Sequence, residues 1–209
     1  MKLVEESYEI LTDLSNPLHI LKQIELAGRV CYKSEDRITD DSCIQFCKMI
    51  IERGHEACIE HSQLSVKFTV DRAIANEIVR HRLCSFCQES TRYINYSKSK
   101  FGNEIKVIVP WCLEKESNAY NIWYDACKRA ESSYMEMLGA GVKQEIARNV
   151  LPLSTASELI VTANIREWRH LLRLRTTEFA HPQMRHLMRL LLTELREKIP
   201  VLFDDIDTV

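Results

Sequence analysis

The sequence predicts an α+β fold, a single domain over residues 1–209 of mixed helices and antiparallel strands. Three observations predict it. Residues 63–70, QLSVKFTV, set Leu64, Val66, Phe68 and Val70 against Ser65, Lys67 and Thr69, the period-two pattern of a strand with one wet face. Residues 164–175 and 182–200 place apolar side chains at helical spacing behind residues suited to a helix start. Strand-like and helix-like stretches do not follow the strict alternation that a parallel sheet requires. With 209 residues, 45% of them hydrophobic, the chain is long enough to bury a core of its own.

Each element follows from local chemistry. Residues 2–10 read as an opening strand. Asn16 and Pro17 suit the cap and first position of a helix running to about Cys31. Asp40 or Asp41 caps a second helix, closed by Gly54. Asp71 caps a third, expected to reach Arg82, after which a polar loop containing aromatics follows. IKVIV at 105–109 is a strand before Pro110. Ser117 starts a long helix ending at Gly139, and a short helix is expected at 143–149, before Pro152. Residues 158–163 are strand-like, and Asn164 caps a helix to about Arg175. Pro182 opens the last helix, whose Leu187, Leu190, Leu191 and Leu195 form a stripe up to Pro200.

Composition removes several classes of function. Lys and Arg total 28 against 30 acids, a net charge of -2, so the overall basic footprint of a dedicated nucleic-acid binder is missing. The five glycines match neither dinucleotide nor Walker spacing. No apolar run is long enough for a membrane span, and MKLVEESYEI does not read as a signal peptide, so a cytoplasmic protein is expected, with no membrane partner. Eight cysteines are then expected as reduced thiols, most of them small core residues. Cys84 and Cys87 form a lone CxxC without the second half of a zinc site, and Cys43 and Cys47 have no partner pair, so no metal is expected.

Positive charge is segregated. Arg80 to Lys100 holds Arg80, Arg82, Arg92, Lys98 and Lys100 against Glu89. Asn164 to Arg189 holds six arginines against Glu167 and Glu178. Two such stretches in an acidic chain point to an anionic ligand, and arginine suits one because its planar fork holds donors in a fixed geometry. On the helix after Asn164, Trp168, Leu171 and Leu172 make an apolar face that Arg175 shares. Arg166, Arg169, His170 and Arg173 fall on the opposite side, either a solvated face or a wall for a phosphorylated ligand. On the helix from Asp71, His81 and Arg82 continue the inward side set by Ile74 and Ile78. These residues alone leave open a single-strand nucleic-acid module stacking on Trp168, Tyr93 and Tyr96 and a CxxC redox or zinc protein, beside an enzyme with an anionic ligand.

The loop RHRLCSFCQESTRY, Arg80 to Tyr93, resembles the signature of the flavin-dependent thymidylate synthases (ThyX family). Arg80, His81, Arg82, Ser85, Ser90, Arg92 and Tyr93 match it in register, with Cys87 at a usual Asn position and Gln88 at one that is often Glu. GHEACIEH at 54–61 is similar to the family's GHE and EH segment. ARNVLPL, NIREWRHLLRLR and AHPQMR resemble its C-terminal half in the expected order.

The resemblance implies a homotetramer in which FAD, dUMP and methylenetetrahydrofolate meet at subunit interfaces and NADPH reduces the flavin, with dTMP as product. By position it implies that Arg80, His81 and Arg82 contact FAD, with Arg80 also near dUMP. Asn164, Arg166 and His170 match further flavin positions, joined by Gln88, His55 and Ala57. Gln88, Glu89, Ser90, Thr91 and Arg92 match the nucleotide loop, Arg148 a second phosphate or base contact, and Glu77 a dUMP contact. Tyr93 is a candidate to stack on the folate.

Methylation at C5 of uracil needs electron density there. A covalent thiolate route needs a nucleophile with an adjacent, oriented base, and His81 with Cys84 lacks an evident third group. The alternative is a cation that stabilises the negative charge developing on N3 and the carbonyl oxygens. Arg175 matches the family position for this task, which would account for a guanidinium on an apolar face. Ser90, a hydroxyl without a paired base, is assigned to positioning dUMP.

Overall fold

The computed structural model describes residues 1–207. The elements, in chain order, are β1 (Lys2–Val4), β2 (Ser7–Ile10), α1 (Leu18–Tyr32), α2 (Ser42–Glu52), β3 (Gln63–Asp71), α3 (Arg72–Ile78), β4 (Ser85–Gln88), β5 (Lys106–Ile108), α4 (Asn118–Gly139), α5 (Gln144–Ala147), β6 (Ala156–Asn164), α6 (Ile165–Arg175), α7 (Pro182–Lys198) and α8 (Pro200–Phe203). Four strands form a sheet in the order β2-β3-β6-β4, and β1 pairs with β5. Helices and strands are mixed, as an α+β class requires.

Three caps read from the sequence are made by side chains. Asp71 Oδ1 accepts the Ile74 N–H at 2.7 Å, Ser117 Oγ the Tyr120 N–H at 3.1 Å, and Asn164 Oδ1 the Glu167 N–H at 2.8 Å. Each satisfies a donor that the first helical turn would otherwise leave unpaired. Asp41 occupies the cap of α2 without a side-chain bond.

Several expectations are corrected. The opening strand breaks between Val4 and Ser7 into two strands of different sheets. β1 and β5 are parallel, Lys2 opposite Lys106 and Val4 opposite Ile108, where antiparallel pairing was expected. The two lie far apart in sequence, and the long connection lets the second strand return in the same direction. α3 stops at Ile78 rather than Arg82: the Arg80 N–H reaches back three residues to the Glu77 carbonyl, and the Cys84 N–H to that of His81, tightening the chain into turns. The expected loop contains a strand, β4, because residues 85–88 find a ladder on β6, which their own weak alternation does not reveal.

The chain forms two compact units, each from three separate stretches. The first comprises Met1–Ser7, Phe68–Arg80 and Phe86–Ile160. Its core gathers Tyr96, Ile105, Val107, Cys127, Tyr134 and Ala147 beneath α4. The N-terminal ammonium is held there by Glu131 at 2.8 Å and Glu104 at 3.0 Å.

The second unit comprises Tyr8–Lys67, His81–Ser85 and the chain from Val161 onward. α1 buries Ile20, Leu21 and Ile24, and α2 buries Cys43, Phe46, Cys47 and Ile50. Gly28 is required where these helices meet: a Cβ there would lie 2.5 Å from Phe46 Cζ. Glu25, buried on α1, receives Arg29 at 2.9 Å and the Ser42 hydroxyl of α2 at 2.8 Å. α7 contributes Leu187, Leu191 and Leu195 of the expected stripe, together with Met184, Met188 and Leu192, whereas Leu190 is exposed. Burying each such side chain contributes about 1.5–3 kcal/mol.

Candidate active site

In the first unit, β4 leads into the loop 89–93, and backbone bonds set its course. The Glu89 N–H donates to the Glu158 carbonyl of β6 at 2.8 Å, and Gln88 Nε2 donates to Ser157 Oγ at 3.1 Å. Ser90 closes a turn, its carbonyl accepting the Tyr93 and Ile94 N–H groups and its hydroxyl that of Arg92. Thr91 is buried, and Arg148 Nη1 reaches its hydroxyl at 3.3 Å. Arg148 is therefore brought to the loop by the turn that follows α5. Arg92 is exposed, 3.7 Å from Glu145 and over the ring of Tyr93. Two solvent-facing guanidinium groups thus flank a loop rich in hydroxyls and N–H groups.

Glu89 has a structural role within this loop. One carboxylate oxygen accepts the Tyr96 hydroxyl at 2.9 Å and the other the Glu158 N–H at 3.3 Å. The same two residues line a cavity of about 290 Å³ with Ser157 and Lys106. Burial, reinforced by the Glu89 carboxylate, pushes the Tyr96 phenol well above its usual range. Glu77 lies on α3 and Arg80 just beyond it, exposed.

In the second unit, α6 carries most of the charge. Trp168 fixes its buried face by donating Nε1–H to the Leu64 carbonyl at 3.0 Å. Arg169, expected on the opposite side with Arg166, His170 and Arg173, is instead buried. Its guanidinium grips Asp205 through two bonds of 2.7 and 2.6 Å and also reaches the Leu202 carbonyl. The C-terminal segment carrying Asp205 covers that side of the helix, so Arg169 is a structural residue and no wall for a ligand.

Arg166 and Arg173 remain half-exposed and are held by carboxylates. Arg166 meets Glu60 at 2.6 Å and Glu56 at 3.2 Å, and Arg173 meets Glu56 at 3.4 Å and Asp205 at 3.3 Å. Glu56 and Glu60 lie in the GHEACIEH segment, so that run supplies the counter-charge of α6. His55 and Ala57 of the same segment are exposed, and the Tyr32 hydroxyl lies 3.1 Å from His55 Nδ1. Tyr32 lines a basic cavity of about 360 Å³ with Arg29, Lys33, Arg37 and Arg53. Asn164, besides capping α6, lines a cavity of about 210 Å³ with His19, Gln23, Glu60 and His61. Arg82 and His170 face solvent.

At the last residue of α6, Arg175 Nε donates to His81 Nε2 at 2.9 Å. The acceptor nitrogen must be unprotonated, so this imidazole is neutral with its proton on Nδ1. Burial is the main cause of that neutrality, with the positive fields of Arg175 and His170 added, and together they bring the His81 pKa down to about 4. Glu167 Oε1 lies 4.0 Å from Nδ1, with both side chains buried. The contact is not an ion pair near pH 7, because the imidazole is uncharged there. The Cys84 thiol, pushed up to about 12 by burial and then by Glu167, is no nucleophile. Among the described residues, no group of three or more His, Cys, Asp and Glu side chains could hold a metal ion.

The family model for thymidylate synthase complementing protein (Thy1) matches residues 15–201. The flavin-dependent thymidylate synthase of Corynebacterium aurimucosum is 33% identical over 200 residues, covering 87% of this chain and 78% of that protein. The chain belongs to the flavin-dependent thymidylate synthase family. Its counterpart from Corynebacterium diphtheriae is 29% identical over 203 residues, covering 88% of this chain and 78% of that one. A crystal structure of the UMP/dUMP methylase PolB from Streptomyces cacaoi, bound with 5-Br dUMP, has the same fold, with a TM-score of 0.76 at 24% identity over 98% of this chain and 96% of that one.

Within this flavin-dependent thymidylate synthase, the residues singled out from the sequence divide between the units. Glu77, Arg80, Gln88, Glu89, Ser90, Thr91, Arg92 and Arg148 belong to the first, and His55, Ala57, His81, Arg82, Asn164, Arg166, His170 and Arg175 to the second. The structure brings Thr91 to Arg148 and His81 to Arg175. Sequence reasoning missed the roles of Glu56, Glu60 and Asp205, the acids that hold Arg166, Arg169 and Arg173, and of Glu167 beside His81. The EH spacing of GHEACIEH was the available signal for the first two. Asp205 lies outside every recognisable motif.

Proposed function

We propose that this member of the family makes dTMP from dUMP, taking the one-carbon unit from methylenetetrahydrofolate and the reducing hydride from FAD that NADPH has reduced. The observation that carries the reading is Arg175, a half-buried guanidinium held by a neutral imidazole at the end of α6.

The residues present fit a flavin adenine dinucleotide. Arg82, Arg166 and His170 offer solvent-facing donors suited to a pyrophosphate, and Leu83 (80% exposed) and Phe179 (101%) offer apolar surface suited to a ring system. His55, Ala57, His81 and Asn164 of the second unit join this set, and Arg80 and Gln88 of the first unit carry a flavin assignment by sequence position alone. When bound, the reduced flavin supplies the hydride that turns a transferred methylene into a methyl group.

Arg92 and Arg148 hold the dUMP phosphate by charge-assisted bonds, and the 89–91 turn, with Glu77 and Arg80, positions the nucleoside. Arg175 stabilises the negative charge that develops on uracil N3 and its carbonyl oxygens as C5 becomes nucleophilic. It does so without waiting for a proton, since a guanidinium is always charged. Neutral His81 holds Arg175 by one N–H without cancelling its charge.

The whole chain acts as one catalytic domain, in a homotetramer and in the cytoplasm. Large exposed apolar side chains on both units, among them Phe179 and Tyr93, support assembly, and eight free thiols suit a reducing compartment. The test is product analysis: purified protein given FAD, NADPH, methylenetetrahydrofolate and dUMP forms dTMP and elutes as a tetramer. A protein that refuses FAD and leaves dUMP unchanged would end this reading.

A further inference from the structure

Glu167 lies within NIREWRHLLRLR but is given no role by the resemblance, and it is buried in the second unit beside the His81 and Arg175 pair. Asn164 accepts its N–H, which fixes the first turn of α6, and Trp168, the next residue, anchors the helix by its bond to Leu64. The Glu167 side chain is therefore carried on a rigid element. Its carboxylate lies on the Nδ1 side of His81, at 4.0 Å, while Arg175 occupies the Nε2 side at 2.9 Å.

We propose that Glu167 is a positioning residue for the reaction proposed above: its carboxylate selects the Nδ1–H tautomer of His81, and His81 in turn sets the orientation of the Arg175 guanidinium. A neutral imidazole has two tautomers of similar intrinsic energy, and only one places a lone pair on Nε2. The other would point an N–H at the Arg175 N–H, donor against donor. A buried negative charge on the Nδ1 side favours the productive tautomer, because the ring dipole then points its positive end at the carboxylate and its negative end at the guanidinium. The distance is beyond that of a direct hydrogen bond, so the action is through-space and needs the charge as well as the acceptor.

The proposal rests on the role given to Arg175, and two readouts separate its failure from failure of that reading. The first is ¹⁵N NMR of histidine-labelled protein without substrates, which reports the tautomer of each ring whatever the enzyme turns over. His81, assigned by loss of its signals in H81Q, is expected with Nδ1 protonated and Nε2 bare. Glu167→Gln should convert it to a tautomer mixture, and Glu167→Ala should do so further. The second is steady-state kinetics with dUMP: Glu167→Ala should lower kcat roughly tenfold or more, the scale of a misplaced catalytic group. KM for dUMP and flavin content should stay within about twofold, and Glu167→Gln should fall between. If Glu167→Ala does not fold, Glu167→Gln alone decides both readouts. A protonated Nε2 in the unaltered protein, a pure Nδ1–H tautomer in the variants, or unchanged kcat would each overturn the proposal. A chain that makes no dTMP but shows the tautomer shift would retain the Glu167 to His81 link and lose only the proposed reaction.

Discussion

Arg175 Nε donates to His81 Nε2 across 2.9 Å, joining the last residue of α6 to the middle residue of the Arg-His-Arg triplet. A guanidinium usually seeks carboxylates, and Arg166, Arg169 and Arg173 on the same helix all have them. Arg175 has an uncharged acceptor at Nε, and that contact leaves its positive charge undiminished.

The first prediction follows from the neutrality of His81. Its folded pKa, about 4, lies below the ordinary 6.5, so between those values the unfolded chain binds the additional proton and stability falls as the pH falls. The loss amounts to about 3 kcal/mol at most, is complete below pH 4, and is absent above pH 6.5. Urea unfolding across this window should show the slope in the unaltered protein, and H81Q should flatten it.

Arg169 should matter for folding and not for substrate. Replacing Asp205 with Ala leaves a buried guanidinium with the Leu202 carbonyl as its remaining acceptor among the described residues, at a cost of about 2 kcal/mol because Asp205 is itself half-exposed. Denaturant midpoints should drop, while KM for dUMP stays unchanged.

The loop arginines should behave in the opposite way. Arg92→Ala and Arg148→Ala each remove a charge-assisted contact of about 1.5–3 kcal/mol, equivalent to a roughly 10- to 100-fold rise in KM for dUMP. Midpoints of unfolding and flavin content should hardly move. Equal KM values would remove these two residues from the phosphate site.

Gly28 and Gly139 offer a paired test of packing. Gly28→Ala drives a methyl group onto Phe46 and should cost about 1–3 kcal/mol. Gly139→Ala meets nothing within 4 Å at the end of α4 and should be neutral or stabilising by up to about 1 kcal/mol. Thermal unfolding of the two variants should shift in opposite directions or only for the first.

The helix starts were legible because Asp71, Ser117 and Asn164 act within three residues of themselves, and β3 because its alternation is the burial pattern itself. β4 was not, since Phe86 and Gln88 become a strand only by pairing with a segment far along the chain. Arg169 was placed on the wrong side of α6 because helical spacing cannot show that the C-terminal segment covers it and brings Asp205. The Arg-His-Arg triplet and Arg175 were recognisable one by one. That His81 and Arg175 touch, and that Glu167 stands behind His81, depends on tertiary placement that no local pattern encodes. The wrong end of α3 had the same origin: turns after Ile78 carry His81 into the second unit, where helical periodicity would have continued the helix.

The most direct measurement is the oxidation of pre-reduced flavin by dUMP and methylenetetrahydrofolate in a single turnover, comparing the unaltered protein with Arg175→Ala. Flavin binding and reduction by NADPH should survive the substitution, while dTMP-forming reoxidation slows by about 10²–10³-fold, the loss typical of removing one preorganised charge-stabilising donor. Reoxidation with dTMP formation at the unaltered rate would contradict the account.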